Sequence, residues 1–342
     1  MLNEQISDEL LPKFSLSLIQ DYKYKKLEID KKLDEIVNKK IDQLKKEFEH
    51  NKENGGFVYM NGAYAGEYNK DVMPNGNGFM TFQPSENVYM GQFDSGLRHG
   101  IGEYIYWSGG GSAHYPFQIP YYAGEWFADS YHGLGKHFIT EFEFLYLYEG
   151  THTHDLKNGF GTYKKFEKED QKICNTELIG YFANGNGFQF MIEINRDDNG
   201  NLAKDVPSGL LEYDMENGSK MLLSTFNEIT EWEKVKPKKM DKDISNIFNA
   251  FYDPYFKLDP FTKKYSDLRL EAKKNVTKLM FDSNKYFEKN SEDKSYFEFL
   301  TKVVTLNEVI NKVGENDKLI ELKEEIEEAK KEFFIIEKKL KS

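Results

Sequence analysis

The residues of this 342-residue chain best suited to chemistry are seven histidines, a single cysteine and one acidic turn. His152 and His154 alternate, so a strand there would place both imidazoles on one face, where a metal could begin to be held. No carboxylate or thiol stands near them at the spacing a metal centre needs. His99 and His132 fall at matching positions of a recurring pattern, which points to structure over catalysis. Asn195, Asp197, Asn199 and Gly200 begin like a calcium loop, yet position twelve is Val206 where a bidentate Glu is required. A tight turn between two strands explains the same letters. Gly76-Asn77-Gly78 and Gly185-Asn186-Gly187 neither open a helix nor precede Lys-Ser/Thr, so they are not phosphate loops. Cys174, being alone, excludes an intramolecular disulfide framework and a cysteine-rich zinc site. The expectation is a protein with no catalytic residues, no metal and no cofactor.

The strongest signal is aromatic. In residues 89–104, Tyr89, Gly91 and Phe93 alternate with Met90 and Gln92, Asp94-Ser95-Gly96 supplies a turn, and His99-Gly100-Ile101-Gly102-Glu103-Tyr104 returns as a second strand. Strand glycines are costly unless something must approach the backbone closely. An aromatic ring from a neighbouring hairpin is expected to fill the space, with Trp126 over Gly100 or Gly102. The unit recurs in register as Tyr122, Gly124, Trp126, His132, Gly133, Gly135, and again as Tyr148, Gly150, Asn158, Gly159, Gly161, Tyr163, with His152 in place of the second aromatic. Tyr64, Gly66 and Tyr68 match upstream, with Gly76 and Gly78 one residue late. Leu178, Gly180 and Phe182 match downstream, followed by Gly185 and Gly187 after a shortened turn. A half-unit lies at Gly209, Leu211 and Tyr213.

This pattern resembles the MORN repeat family, whose unit reads Tyr-x-Gly-x-Trp/Phe, a turn, then His-Gly-x-Gly. The resemblance covers residues 64 to about 190, with an insert at 108–121. It implies an α+β protein: a row of antiparallel hairpins forming an elongated single-layer meander with an aromatic groove, flanked by an N-terminal amphipathic helix and a C-terminal helical region. The groove residues would be Tyr89, Phe93, Tyr104, Tyr122, Trp126, Tyr148 and Tyr163. Members without catalytic domains resemble parts of large assemblies, so the resemblance implies a scaffold or adaptor binding helices or extended peptides. Its expected place is the cytoplasm and cytoskeleton, in the ciliary axoneme as part of a radial spoke or related complex. A membrane-associated adaptor and a protist cortical cytoskeleton component are the alternatives.

The flanks divide the chain. Residues 1–56 read as one amphipathic helix from about 15 to 53, with Ile29, Leu33, Ile36, Val37, Ile41, Leu44 and Phe48 on a narrow stripe, expected to shield an end or face of the sheet. Residues 57–232 hold the repeats, and 233–261 a basic linker with a crowd of aromatics that must pack against the sheet or a partner. Residues 262–342 read as helices near 262–289, 293–313 and 317–341, the last two forming an antiparallel hairpin. The charge is uneven: 57–232 carries 11 basic and 24 acidic side chains, a net −13 that exceeds the formal −12 of the whole. Such a sheet repels phosphate backbones and anionic headgroups, so nucleic acid is not an expected partner and a membrane surface is a poor one. No apolar run approaches the length of a spanning helix, and from the opening residues, with Leu2 at the second position, neither a signal or transit peptide nor myristoylation is expected.

Overall fold

The structure, a computed structural model, describes residues 11–51, 57–59, 62–82, 87–106, 119–141, 144–167, 174–183, 185–197, 199–203, 208–213, 220–225, 232–246, 248–249, 263–287, 294–312 and 316–340. It is α+β. The strands are β1 Phe57–Tyr59, β2 Gly62–Tyr68, β3 Pro74–Phe82, β4 Asn87–Asp94, β5 Leu97–Tyr106, β6 Ile119–Phe127 and β7 Ser130–Glu141. They continue as β8 Phe144–Thr153, β9 Leu156–Glu167, β10 Cys174–Ala183, β11 Asn186–Asn195, β12 Gly209–Tyr213 and β13 Lys220–Thr225. All thirteen form one open antiparallel sheet in strict sequence order. The insert expected at 108–121 contributes its last residues to β6, and 107–118 lies outside the described residues.

Register explains the repeat. Gly66, Gly78, Gly91, Gly102, Gly124, Gly135, Gly150, Gly161 and Gly180 stand opposite one another in turn, a glycine row crossing β2 to β10. Beside it runs a second row: Tyr64, Met80, Tyr89, Tyr104, Tyr122, His137, Tyr148, Tyr163 and Leu178. Both rows share one face, because strand residues two apart point the same way. The glycine row stops at β11, where Gly180 faces Met191. Gly187 pairs instead with Phe182, so Gly185 and Gly187 do not replace the second pair of glycines. Leu178 and Met191 fill the space that a tyrosine and a glycine share elsewhere.

The hairpins are also latched to one another. Ser95-Gly96, Ala128-Asp129 and His154-Asp155 turn with both residues at positive φ, the geometry of tight primed turns. The N–H groups of Gly96, Asp129, Asp155 and Gly185 donate to the carbonyls of Pro74, Arg98, Tyr131 and Lys157 in the preceding hairpin. Oδ1 of Asp129 and of Asp155 accepts the N–H of Arg98 and Tyr131 in return.

The opposite face is covered by the N-terminal helix: α1 Leu11–Leu33, a π-helical stretch Asp34–Ile41 and α2 Asp42–Asn51. The wide i→i+5 turn suits the five-residue step between the buried Ile36 and Ile41. Phe14, Leu18, Ile19 and Tyr22 of α1 join Phe160, Ile179, Phe190, Ile192, Ile194 and Leu210 in the main core, together with Trp232, Val235, Ile244 and Phe248. Ile41 packs with Met90 and Ala123 further along the same face. Thus the start of the aromatic segment at 244–261 packs on the sheet, while 250–261 lies outside the described residues.

The C-terminal helices are α3 Lys263–Phe287, α4 Lys294–Lys312 and α5 Asn316–Leu340. Phe299 early in α4 stacks on Phe333 late in α5, so these two are antiparallel. The hairpin does not close its own core: Ala272, Val276 and Leu279 of α3 complete it, making a three-helix bundle.

Candidate functional site: the aromatic face

Each repeat builds its part of this face in the same way. The first tyrosine bends over the glycine row and donates its hydroxyl to a carbonyl three residues on: Tyr64 to Glu67, Tyr89 to Gln92, Tyr122 to Glu125 and Tyr148 to Thr151, at 2.7–3.0 Å. The ring then lies where a side chain of the paired strand would be. A Cβ at Gly102 would sit 2.5 Å from Cζ of Tyr89, and Gly78, Gly135 and Gly161 meet Tyr64, Tyr122 and Tyr148 likewise. The ring over each strand glycine therefore comes from the same hairpin. Trp126, expected over Gly100 or Gly102, instead donates Nε1–H to the Gly102 carbonyl at 3.1 Å and crosses the Tyr89 ring edge-on.

Of the seven groove residues, Tyr89, Phe93, Tyr122, Trp126 and Tyr148 are each under 5% exposed, whereas Tyr104 and Tyr163 are half-buried. The buried five are brought together by edge-to-face contacts, Phe93 with Tyr89, Tyr89 with Trp126 and Trp126 with Tyr122, while Tyr148 continues toward Phe182.

Three residues missing from that set complete the surface, and all occupy the position before the second-strand His/Asn-Gly. Arg98 centres its guanidinium 4.4 Å from the Trp126 ring and 5.2 Å from Tyr104, with Tyr89 and Phe82 beyond. Its Nε lies 3.2 Å from Asp129 Oδ1. Tyr131 stacks on Tyr122 at 4.1 Å, and Lys157 places Nζ 4.4 Å from the Tyr163 ring. Such contacts bind cations through the ring's negative face. The sequence holds a signal for them, because Arg98, Tyr131 and Lys157 are at one repeat position, but their types differ and the repeat motif is silent there.

Between the tyrosines lie His137 and His152, both more than nine-tenths buried, with ring centroids 5.8 Å apart. Burial, aided by Lys157 and for His152 by His137, pulls His137 down to about 4 and His152 to about 3, so both are neutral near pH 7. Burial also pushes the Tyr89, Tyr131 and Tyr148 phenols well up. The face is a neutral aromatic floor crossed by two cations of the chain itself.

The remaining chemical candidates separate. His152 and His154 do not share a face: His154 lies in the turn with φ 48° and packs on Phe127 and His132, away from the His137 pair. His99 lies against Phe127 as well. In the 195–200 segment, Asp197 Oδ1 accepts the N–H groups of Asn199 and Asn201, a tight turn whose carboxylate is occupied by backbone. Among the described residues no three His, Cys, Asp or Glu side chains cluster as metal ligands, and no helix is long and apolar enough to cross a membrane. No family model matches this chain, and no curated protein is detectably similar to it.

Proposed function

We propose that the protein is a non-enzymatic scaffold of the MORN-repeat type that holds segments of partner proteins on its aromatic face. The observation that carries this reading is the recurrence of one device in four hairpins, a tyrosine folded over a cross-strand glycine and tied to its own strand. It builds a row of buried rings, and among the described residues no three His, Cys, Asp or Glu side chains cluster as metal ligands along it. Aromatic anchors dominate binding energy at protein interfaces. Tyr104 and Tyr163 keep exposed ring surface beside the cations Arg98 and Lys157. The partner segment is a helix or extended peptide with aromatic or acidic groups for those cations, and the setting is a cytoskeletal assembly, the ciliary axoneme first.

Tyr104 and Tyr163 are also the residues that test it. Changing both to Ser in the full chain should remove a partner captured by cross-linking from ciliated cells, with thermal unfolding and circular dichroism little changed. Retention of every partner by a folded double variant would move the docking surface off this face. Flotation with anionic liposomes separates the membrane-adaptor alternative, for which the chain would have to rise with the vesicles.

A further inference from the structure

The N-terminal helix and the C-terminal bundle both touch the sheet, but among the described residues only the first shares an apolar core with it. The bundle core is a separate cluster. Its contact with the sheet runs through α3, whose cations reach one hairpin turn after another. Lys278 Nζ lies 3.6 Å from Asp71 in the turn before β3, and Lys274 Nζ bonds Asp94 Oδ2 at 2.5 Å before Ser95-Gly96. Lys273 Nζ donates to the Ala128 carbonyl at 2.5 Å in the next turn. Arg269 feels the charge of Asp155 in the turn after that. Positions 269 and 273, and positions 274 and 278, are each four apart, so they make two neighbouring pairs on α3 that straddle the row of turns. Between them the two pairs contact the turns of β2–β3, β4–β5 and β6–β7, and the Asp155 carboxylate of the β8–β9 turn acts on Arg269 through its charge.

We infer that the acidic row of hairpin turns is a docking ledge for a basic helix, with α3 as its resident occupant, and that charge holds the C-terminal bundle there as a releasable unit. The strength of this clasp is limited on physical grounds. The Lys278 and Lys274 pairs are a third to a half exposed, and exposed pairs contribute little and are screened by salt. Arg269 and Lys273 are 6% and 4% exposed, so docking strips their water, and burial lowers the affinity of both for their protons. Lys273 gains a carbonyl as its hydrogen-bond acceptor, with the Asp129 carboxylate acting at longer range. The same ledge latches hairpin to hairpin, because Asp129 and Asp155 bond backbone N–H groups of the preceding turns. Release of α3 would thus leave the ledge formed and open to another helix with cations at the same spacing.

The test uses the full chain with a fluorophore pair on the exposed positions Lys338 of α5 and Asn186 of β11. Raising salt to about 1 M, or introducing Lys274→Glu with Lys278→Glu, should lower transfer efficiency and enlarge the radius of gyration while helix content is kept. The open population should rise on the order of tenfold. Adding Asp71→Lys and Asp94→Lys to the double variant should restore docking by reversing both pairs. The inference is overturned if salt and the reversed charges leave the distance unchanged. It is also overturned if Phe281→Ala, which removes a buried α3 ring outside the bundle core, is the change that opens the molecule.

Discussion

The two faces of the sheet are closed by opposite strategies. One is covered from far away in sequence: Phe14 and Tyr22 of α1 pack against Phe190 and Phe160, and the Tyr22 hydroxyl donates to the Phe190 carbonyl at 3.0 Å. Ion pairs frame this apolar seam, with Lys45 on Glu103 and Lys26 near Glu177. The other face is closed hairpin by hairpin over β2–β9, by a tyrosine over its own cross-strand glycine, with Trp126 and Arg98 bridging adjacent hairpins. A face sealed by one long helix is weakened as a whole when the helix is weakened. A face sealed unit by unit is damaged where the unit is damaged.

The largest expected effect is therefore on the helix-covered face. Leu18→Ala removes a fully buried side chain from the main core and should cost about 2–5 kcal/mol. Hydrogen exchange should quicken from β9 to β12 together; a loss confined to the helix would contradict the comparison. Gly102→Ala ranks next, at about 1–3 kcal/mol, because the new methyl meets the Tyr89 ring. Its damage should centre on β4 to β6 and spare β11 and β12, so uniform loss of protection would show that the units are not independent.

The third effect is a pH dependence confined to the aromatic face. His137 and His152 have folded-state values of about 4 and about 3 against 6.5 unfolded, so the unfolded chain binds more protons at mildly acid pH. Their contribution is complete above pH 6.5 and is lost as pH falls from 6.5 through about 4 for His137 and about 3 for His152. Denaturation midpoints across that range should decline, and His137→Phe with His152→Phe should flatten the slope. Equal slopes in the variant and the parent would assign the acid sensitivity to other groups.

Much of this was legible in the letters, for reasons that differ by element. The tyrosine and glycine spacing placed the hairpins of β4–β9 because antiparallel register with two-residue turns leaves one way to align them. The helices followed from apolar spacing, although the π-helical stretch did not show, since Val37 and Ile41 stand four apart and continue an α-helical stripe through it. The ring covering Gly102 was assigned to the wrong hairpin: Tyr89 and Trp126 share a face, and periodicity alone does not say which one folds down. His154 was placed beside His152 because alternation was extended one residue into a turn with positive φ. The cations over the rings were missed for a simpler reason, that Arg98 and Lys157 are lysine-like surface letters until the rings beneath them are located.

The seam between α1 and the far strands also bears on how the chain is made. Tyr22 is separated from its partner Phe190 by 168 residues, so a ribosome working at about 5–20 residues per second presents the helix on the order of 10–30 s before its seat exists. Meanwhile each hairpin can close on the one before it, because neighbours in the sheet are neighbours in sequence. Folding should then run forward along the growing meander, with the apolar side of α1 waiting in water or in the hands of a chaperone. Only when β11 emerges can α1 lock the nearest-neighbour array into a single cooperative body.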